Sequence, residues 1–355
     1  MKCPVCKTEC HDNTSCPECR FDNLSPVFLS KDDGEKWIEE VVWPYRRRYW
    51  KTLKHFRIEN TTLVYGTAYT PKECVIPYGI TSIHEEAFCE CPLHEVSFPA
   101  TLREIGQGAF CGCEELSTLK FEEGLQRIEG YAFSFCNLKT VKLPRSVSYI
   151  GPGVFETSSP LGKNDLKELV LPLGLEKLEE GALCNVHSIK IDSCNPHYFI
   201  KNDCLIEKAS GTLIAVANKG ITHVVVPSCV RRIANLAFED CVKLKEVIIC
   251  EGTKEIGGNV FYNTQNLKKI VLPQTLERIE ECAFCGCFKL EKIVVPSSVS
   301  YIGWAGIEAC KQVFCEAPYK SEGWDSSWLS GLCNATIYWG DEWYYNESGD
   351  PVLFE

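Results

Sequence analysis

Residues 267–287 read LKKIVLPQTLERIEECAFCGC, and residues 290–310 read LEKIVVPSSVSYIGWAGIEAC. Laid over one another 23 positions apart, they agree in kind: Leu267 over Leu290, Ile270 over Ile293, Pro273 over Pro296, Ile279 over Ile302 and Phe284 over Ile307. Working outward, an aliphatic residue followed five positions later by a bulky apolar one occurs nine times. The aliphatic members are Ile83, Ile105, Ile128, Ile150, Leu178, Ile233, Ile256, Ile279 and Ile302, with partners Phe88, Phe110, Phe133, Phe155, Leu183, Phe238, Phe261, Phe284 and Ile307. Successive partners lie 22, 23, 22, 28, 55, 23, 23 and 23 residues apart. So constant a step arises when one supersecondary unit, unable to bury its apolar face alone, is copied and stacked. A solenoid is therefore expected, and 355 residues need not be divided among several globular cores.

Each unit opens with two aliphatic residues three apart that lead into a β-rich triplet, as in Leu116 to Leu119 to Phe121 or Leu138 to Val141 to Leu143. The triplets end at residues 98, 121, 143, 171, 191, 226, 249, 272 and 295. Their in-out-in alternation is that of a strand, so stacking predicts one parallel sheet. Pro99, Pro144, Pro172, Pro227, Pro273 and Pro296 close triplets, because proline donates no ladder hydrogen bond. The IG-x-x-AF stretch that follows is expected to turn and to form a short helical or 3₁₀ segment on the opposite side. The pattern L-x-x-V-x-I-P, then I-G-x-x-A-F-x-x-C, resembles the BspA-like leucine-rich repeats of bacterial surface antigens over roughly residues 74 to 315. That resemblance implies an α/β repeat solenoid with a parallel sheet on its concave face. It also brings in a surface adhesin as one functional class.

Departures from the pattern set the boundaries. HYFIKNDCLIEKASGTLIAVAN, residues 197–218, replaces one unit, and its apolar alternation around Asn202-Asp203 and Ser210-Gly211 predicts an inserted β-hairpin. SSPLGKND, residues 158–165, reads as a surface loop. The expected organisation is a zinc ribbon at 1–24, a helical linker and cap at 25–73, repeats at 74–191, an irregular insertion at 192–226, further repeats at 227–315, and a Trp-rich cap at 316–355. In the linker, Ser30 and Asp33 before Trp37, Ile38, Val41 and Val42 resemble a capping box opening an amphipathic helix.

Cys3 and Cys6, then Cys16 and Cys19, form two Cys-x-x-Cys turns separated by nine residues. Two such turns supply the four soft ligands of a closed tetrahedral zinc site. With no position left for water the metal is expected to be structural, supplying the folding energy that so short a segment cannot bury. Cys10 and His11 are read as bystanders. Arg46, Arg47, Arg48, Lys51, Lys54 and Arg57, interleaved with Tyr45, Tyr49, Trp50 and Phe56, allow two main functions, with contacts to a protein or an anionic membrane as lesser ones. One is an aromatic cap on the first repeat with its cations in water. The other is a nucleic-acid clamp used by a regulatory protein.

A net charge of -11 argues against a nucleic-acid-coating protein. No stretch approaches the roughly 20 apolar residues of a membrane span. The amino terminus lacks the apolar core of a secretory signal, so a cytoplasmic location is expected. The seven histidines share no repeat position, and no phosphate loop, nucleophile elbow or His-Glu-x-x-His is present. The chain is accordingly read as a non-enzymatic interaction protein, with a protein partner and structural zinc.

If the middle residue of each triplet faces outward, the concave surface displays Ser97, Lys120, Lys142, Val170 and Lys190, then Val225, Ile248, Val271 and Val294. The last four form an aliphatic stripe, the candidate partner-binding residues. Cys91, Cys113, Cys136, Cys241 and Cys287 follow the Phe by three and are expected as a column of buried thiols. Trp324, Trp328, Trp339 and Trp343 are expected to seal the last unit.

Overall fold

The computed structural model describes residues 56–66, 70–157, 166–308, 310–329 and 335–354. Two compact units divide the chain after Leu178. In each unit the repeats fold as coils, stacked so that equivalent residues of successive coils pair in parallel.

Every regular coil contributes to a ladder that the triplets alone do not reveal. Its strands are two residues long and end on the aliphatic member of the motif. Ser82–Ile83, Glu104–Ile105, Arg127–Ile128, Tyr149–Ile150 and Lys177–Leu178 form it in the first unit, and Arg232–Ile233, Glu255–Ile256, Arg278–Ile279 and Tyr301–Ile302 in the second. Two residues are too few for a period-2 alternation to show in the sequence. The triplets form the expected ladder beside it. Val96 lies opposite Cys74 and Leu119 in the first unit, and Val247 opposite Val224 and Ile270 in the second.

That triplet ladder is not continuous. Residues 138–143 form no strand, so Lys142 stands outside it. In the second unit His223–Val226, Glu246–Ile249 and Lys269–Val271 make one three-stranded sheet, while Lys292–Val295, Gln312–Cys315 and Thr336–Tyr338 make another.

The expected helical or 3₁₀ segment is replaced by turns, and no helix occurs among the described residues. The third residue after each aliphatic member has a left-handed backbone in all nine coils: Glu86, Gly108, Tyr131, Gly153, Gly181, Leu236, Asn259, Cys282 and Ala305. Four residues further on, Glu90, Gly112, Phe135, Asn185, Asp240, Asn263 and Gly286 repeat it. A left-handed residue reverses the chain and cannot propagate a right-handed helix. Between the two reversals the Ala-Phe pair is turned inward, and Ala109, Phe110, Ala132 and Phe133 are fully buried.

The buried Phe rings form stacks along each unit. Phe88, Phe110 and Phe133 are stacked at centroid distances of 4.9 and 5.3 Å, and Phe238, Phe261 and Phe284 follow at 5.0 and 5.2 Å. Hydroxyls tie the turns together at another periodic position. Thr101 accepts from the Gly79 N–H at 3.0 Å and donates to the Ile80 carbonyl at 2.9 Å. Ser146 and Thr275 repeat that pattern in later coils.

Each short-strand ladder starts from antiparallel strands. In the first unit Phe56–Glu59 pairs with Thr62–Gly66, whose Leu63 then pairs in parallel with Ile83. This part of the 25–73 segment, expected as helical, is therefore β. The Phe56 ring lies edge-on to Phe88 at 5.7 Å. In the second unit the predicted hairpin is a three-stranded meander of Tyr198–Lys201, Cys204–Glu207 and Thr212–Val216. Its last strand takes the place of a coil's short strand, with Leu213 beside Ile233.

Candidate interaction surface

The outward positions of the triplet strands fall into columns because the ladders are in register. In the second unit Val225 lies opposite Ile248, and Ile248 opposite Val271. These residues are 43%, 36% and 40% exposed, respectively, while Val224, Val226, Val247 and Ile249 on the other face are buried. Beyond the break, Val294 lies opposite Phe314 and Phe314 opposite Tyr338. Val225, Ile248, Val271 and Val294 thus occupy equivalent outward positions in successive coils, though Val294 is only half-exposed. The equivalent positions of the first unit hold Val75, Ser97, Lys120 and, in Leu169–Leu171, Val170, so aliphatic and polar residues are mixed there. Lys120 pairs there with Glu95.

A second outward column, two residues earlier in each strand, is His223, Glu246, Lys269 and Lys292. Lys269 approaches Glu246 at 3.8 Å, and Lys292 approaches Asp350 at 3.5 Å. Alternation along each strand could have found this column, since it shares the parity of the aliphatic stripe.

The chain's last segments pack on this unit in two ways. Trp324 and Trp328 are buried and continue the coil path, with the Trp324 indole N–H donating to the Val299 carbonyl at 3.0 Å. Trp339 stacks on Trp324 at 6.1 Å. Trp343 and Tyr345 belong to a hairpin, Trp343–Tyr345 against Pro351–Leu353, anchored by Trp343. Its ring lies edge-on to Phe314 at 5.5 Å, and its N–H donates to the Cys315 carbonyl at 3.1 Å. Of the four tryptophans expected to seal the last unit, Trp324, Trp328 and Trp343 are buried, and this hairpin also stands beside the aliphatic stripe. Between them lies a cleft of about 230 Å³ lined by Val271, Val294, three lysines, Tyr345 and Asp350.

The cysteine column is packed as thiol. Cys113, Cys136, Cys241 and Cys287 are buried, and S–H groups donate to carbonyls of the preceding coil: Cys113 to Phe88 at 3.0 Å, Cys136 to Phe110 at 3.2 Å. Burial pushes the Cys241 and Cys287 thiols up to about 12. These thiols stay protonated in the fold while unfolded ones ionise above pH 9. Their stabilising effect is therefore complete below that pH and is lost as pH rises towards 12, by about 1.4 kcal/mol per unit per thiol. Urea titrations at pH 8 and 10.5 are expected to show a smaller alkaline loss for the C241A/C287A variant than for the wild type. Cys282 and Cys285 are half-buried, and Cys285 is likewise raised to about 12, by burial first and then by Glu308. Cys3, Cys6, Cys16 and Cys19 lie outside the described residues, as does the basic segment up to residue 55.

Parallel coils, inward Phe stacks and triplet strands with one face outward define a leucine-rich-repeat solenoid. A model of the BspA type leucine rich repeat region, in six copies, matches residues 76–209 and 215–323, and the chain belongs to that family. Its structure is similar to the pneumococcal vaccine antigen PcpA at 22% identity and a TM-score of 0.58, over 80% of this chain and 69% of that one. It is also similar to a leucine rich cell surface protein from Faecalibacterium prausnitzii A2-165 at 19% identity and a TM-score of 0.54, over 78% and 90%. At these identities the likeness is one of fold. No curated protein matches the chain in sequence.

Proposed function

We propose that the chain is a non-enzymatic scaffold that docks a protein partner on the outward triplet face of its second unit. The observation that supports this is the column Val225, Ile248 and Val271, each more than a third exposed on adjacent strands. Continuous apolar surface of this kind marks contact sites on soluble proteins. β-branched residues also suit sheets, but Ser97 and Lys120 fill equivalent positions in the first unit, so the coil does not itself demand an aliphatic residue there. Charging the face by Ile248→Asp and Val271→Asp together is expected to reduce recovery of the partner from native lysate at least tenfold, with the unfolding midpoint little changed. Undiminished recovery by the folded variant would dismiss the proposal.

An adhesin-like role is the second reading, and the cell-surface protein among the structural relatives favours it. Detection of the protein outside the cell separates that role from the cytoplasmic one expected from the sequence. For the amino-terminal segment we propose structural zinc on Cys3, Cys6, Cys16 and Cys19, carried by the paired Cys-x-x-Cys spacing. Elemental analysis of the purified chain is expected to find one zinc, lost on Cys3→Ser with Cys16→Ser, while the repeat units keep their unfolding midpoint.

A further inference from the structure

Along the stripe, the carboxy-terminal hairpin makes a bounded site out of an open sheet face. The floor is apolar, from Val271 and Val294, and Tyr345, Gly349, Asp350 and Pro351 form the hairpin wall. The rim on the sheet side is cationic, from Lys268, Lys269 and Lys292. Lys292 is partnered by Asp350, Lys269 meets Glu246 only at 3.8 Å, and Lys268 has no carboxylate partner among the described residues. Glu316 stands at the other side, accepting from Tyr345 and Gln274, so the lysines concentrate cationic side chains on the sheet-side rim alone, in a chain whose net charge of -11 would otherwise repel an acidic ligand.

The site also coincides with the interruption in the triplet ladder. No ladder joins Lys269–Val271 to Lys292–Val295, and both strands line the cleft. The two strands remain neighbours in successive coils, so a ligand here meets their outward side chains rather than pairing with their backbone. The cleft's 230 Å³ falls below the range of about 300–1,000 Å³ that encloses whole small molecules. It suits one or two apolar side chains on a longer segment.

We propose that this cleft binds an acidic peptide segment of the partner, with an aliphatic or aromatic side chain on Val271 and Val294 and carboxylates on Lys268 and Lys269. The assignment rests on the docking face described above and specifies its ligand. Selection of random octapeptides displayed on phage against the full chain is the test, repeated on the Lys268→Glu, Lys269→Glu variant. That variant leaves the Lys292–Asp350 contact of the hairpin in place. Wild type is expected to enrich peptides rich in Asp and Glu around one apolar residue, and a synthetic copy is expected to bind the variant at least tenfold more weakly. The Lys268→Gln, Lys269→Gln variant, which introduces no new repulsion, is expected to fall between the two, and added salt to weaken wild-type binding. Absence of enrichment, enrichment of neutral or basic peptides, or an acidic peptide held equally by all three proteins would overturn it. If the lysine variants bind normally while Ile248→Asp with Val271→Asp abolishes partner recovery, the docking face stands and the acidic ligand does not.

Discussion

Replacing Phe110 by Ala is expected to cost about 3–5 kcal/mol of unfolding free energy, the range for deleting a buried aromatic ring. Phe110 is fully buried, stacked between Phe88 at 4.9 Å and Phe133 at 5.3 Å, with Phe98 edge-on at 5.7 Å. Removing the ring leaves a gap that neighbouring coils cannot close, because their hydrogen-bonded ladders fix the spacing. Aromatic contacts on both sides add about 0.5–1.5 kcal/mol each to the burial term. The comparison is Phe288→Ala. Phe288 is 73% exposed, and its truncation is expected to stay within about 0.5 kcal/mol. Urea unfolding followed by circular dichroism reads both, and equal losses would show that the ring stack does not carry the core.

Gly151→Ala is expected to be nearly as damaging for a different reason. A Cβ built there would lie 2.4 Å from the Gly130 backbone nitrogen and 2.8 Å from the Glu129 carbonyl carbon. Those atoms belong to the preceding coil, so nothing flexible can give way and the two coils must separate. Overpacking of this kind costs about 1–3 kcal/mol, and more where backbone must shift. At Gly349 nothing lies within 4 Å and only a positive φ of 76° opposes a side chain. Alanine there is expected to cost about 1 kcal/mol. Thermal unfolding of the two variants should rank them in that order, and a harmless Gly151→Ala would contradict the close approach of the coils.

Much of this architecture could be read from residues 267–310, because the stack repeats its chemistry at each step. Ile279 and Ile302, then Phe284 and Ile307, stand for inward positions in successive coils, and the structure buries all four. The outward parity of Val225, Ile248 and Val271 followed from strand alternation alone. What escaped lay below the resolution of periodicity. Two-residue strands carry no alternation, and the left-handed turn is filled by Glu86, Tyr131, Leu236 and Cys282 as well as by glycine, so no residue type marks it. The hairpin beside Val294 was hidden for another reason, since its anchor, Trp343 against Phe314, is a tertiary contact with no repeat to announce it.

Equivalent residues of neighbouring coils meet at a sequence offset near 23, as Val247 meets Ile270 and Ile256 meets Ile279. Excising or duplicating one such cassette inside a continuous ladder would therefore leave the remaining seams alike in kind. Length becomes a property that descendants of this gene can vary without redesigning an interior, and the extent of the recognition strip changes in proportion.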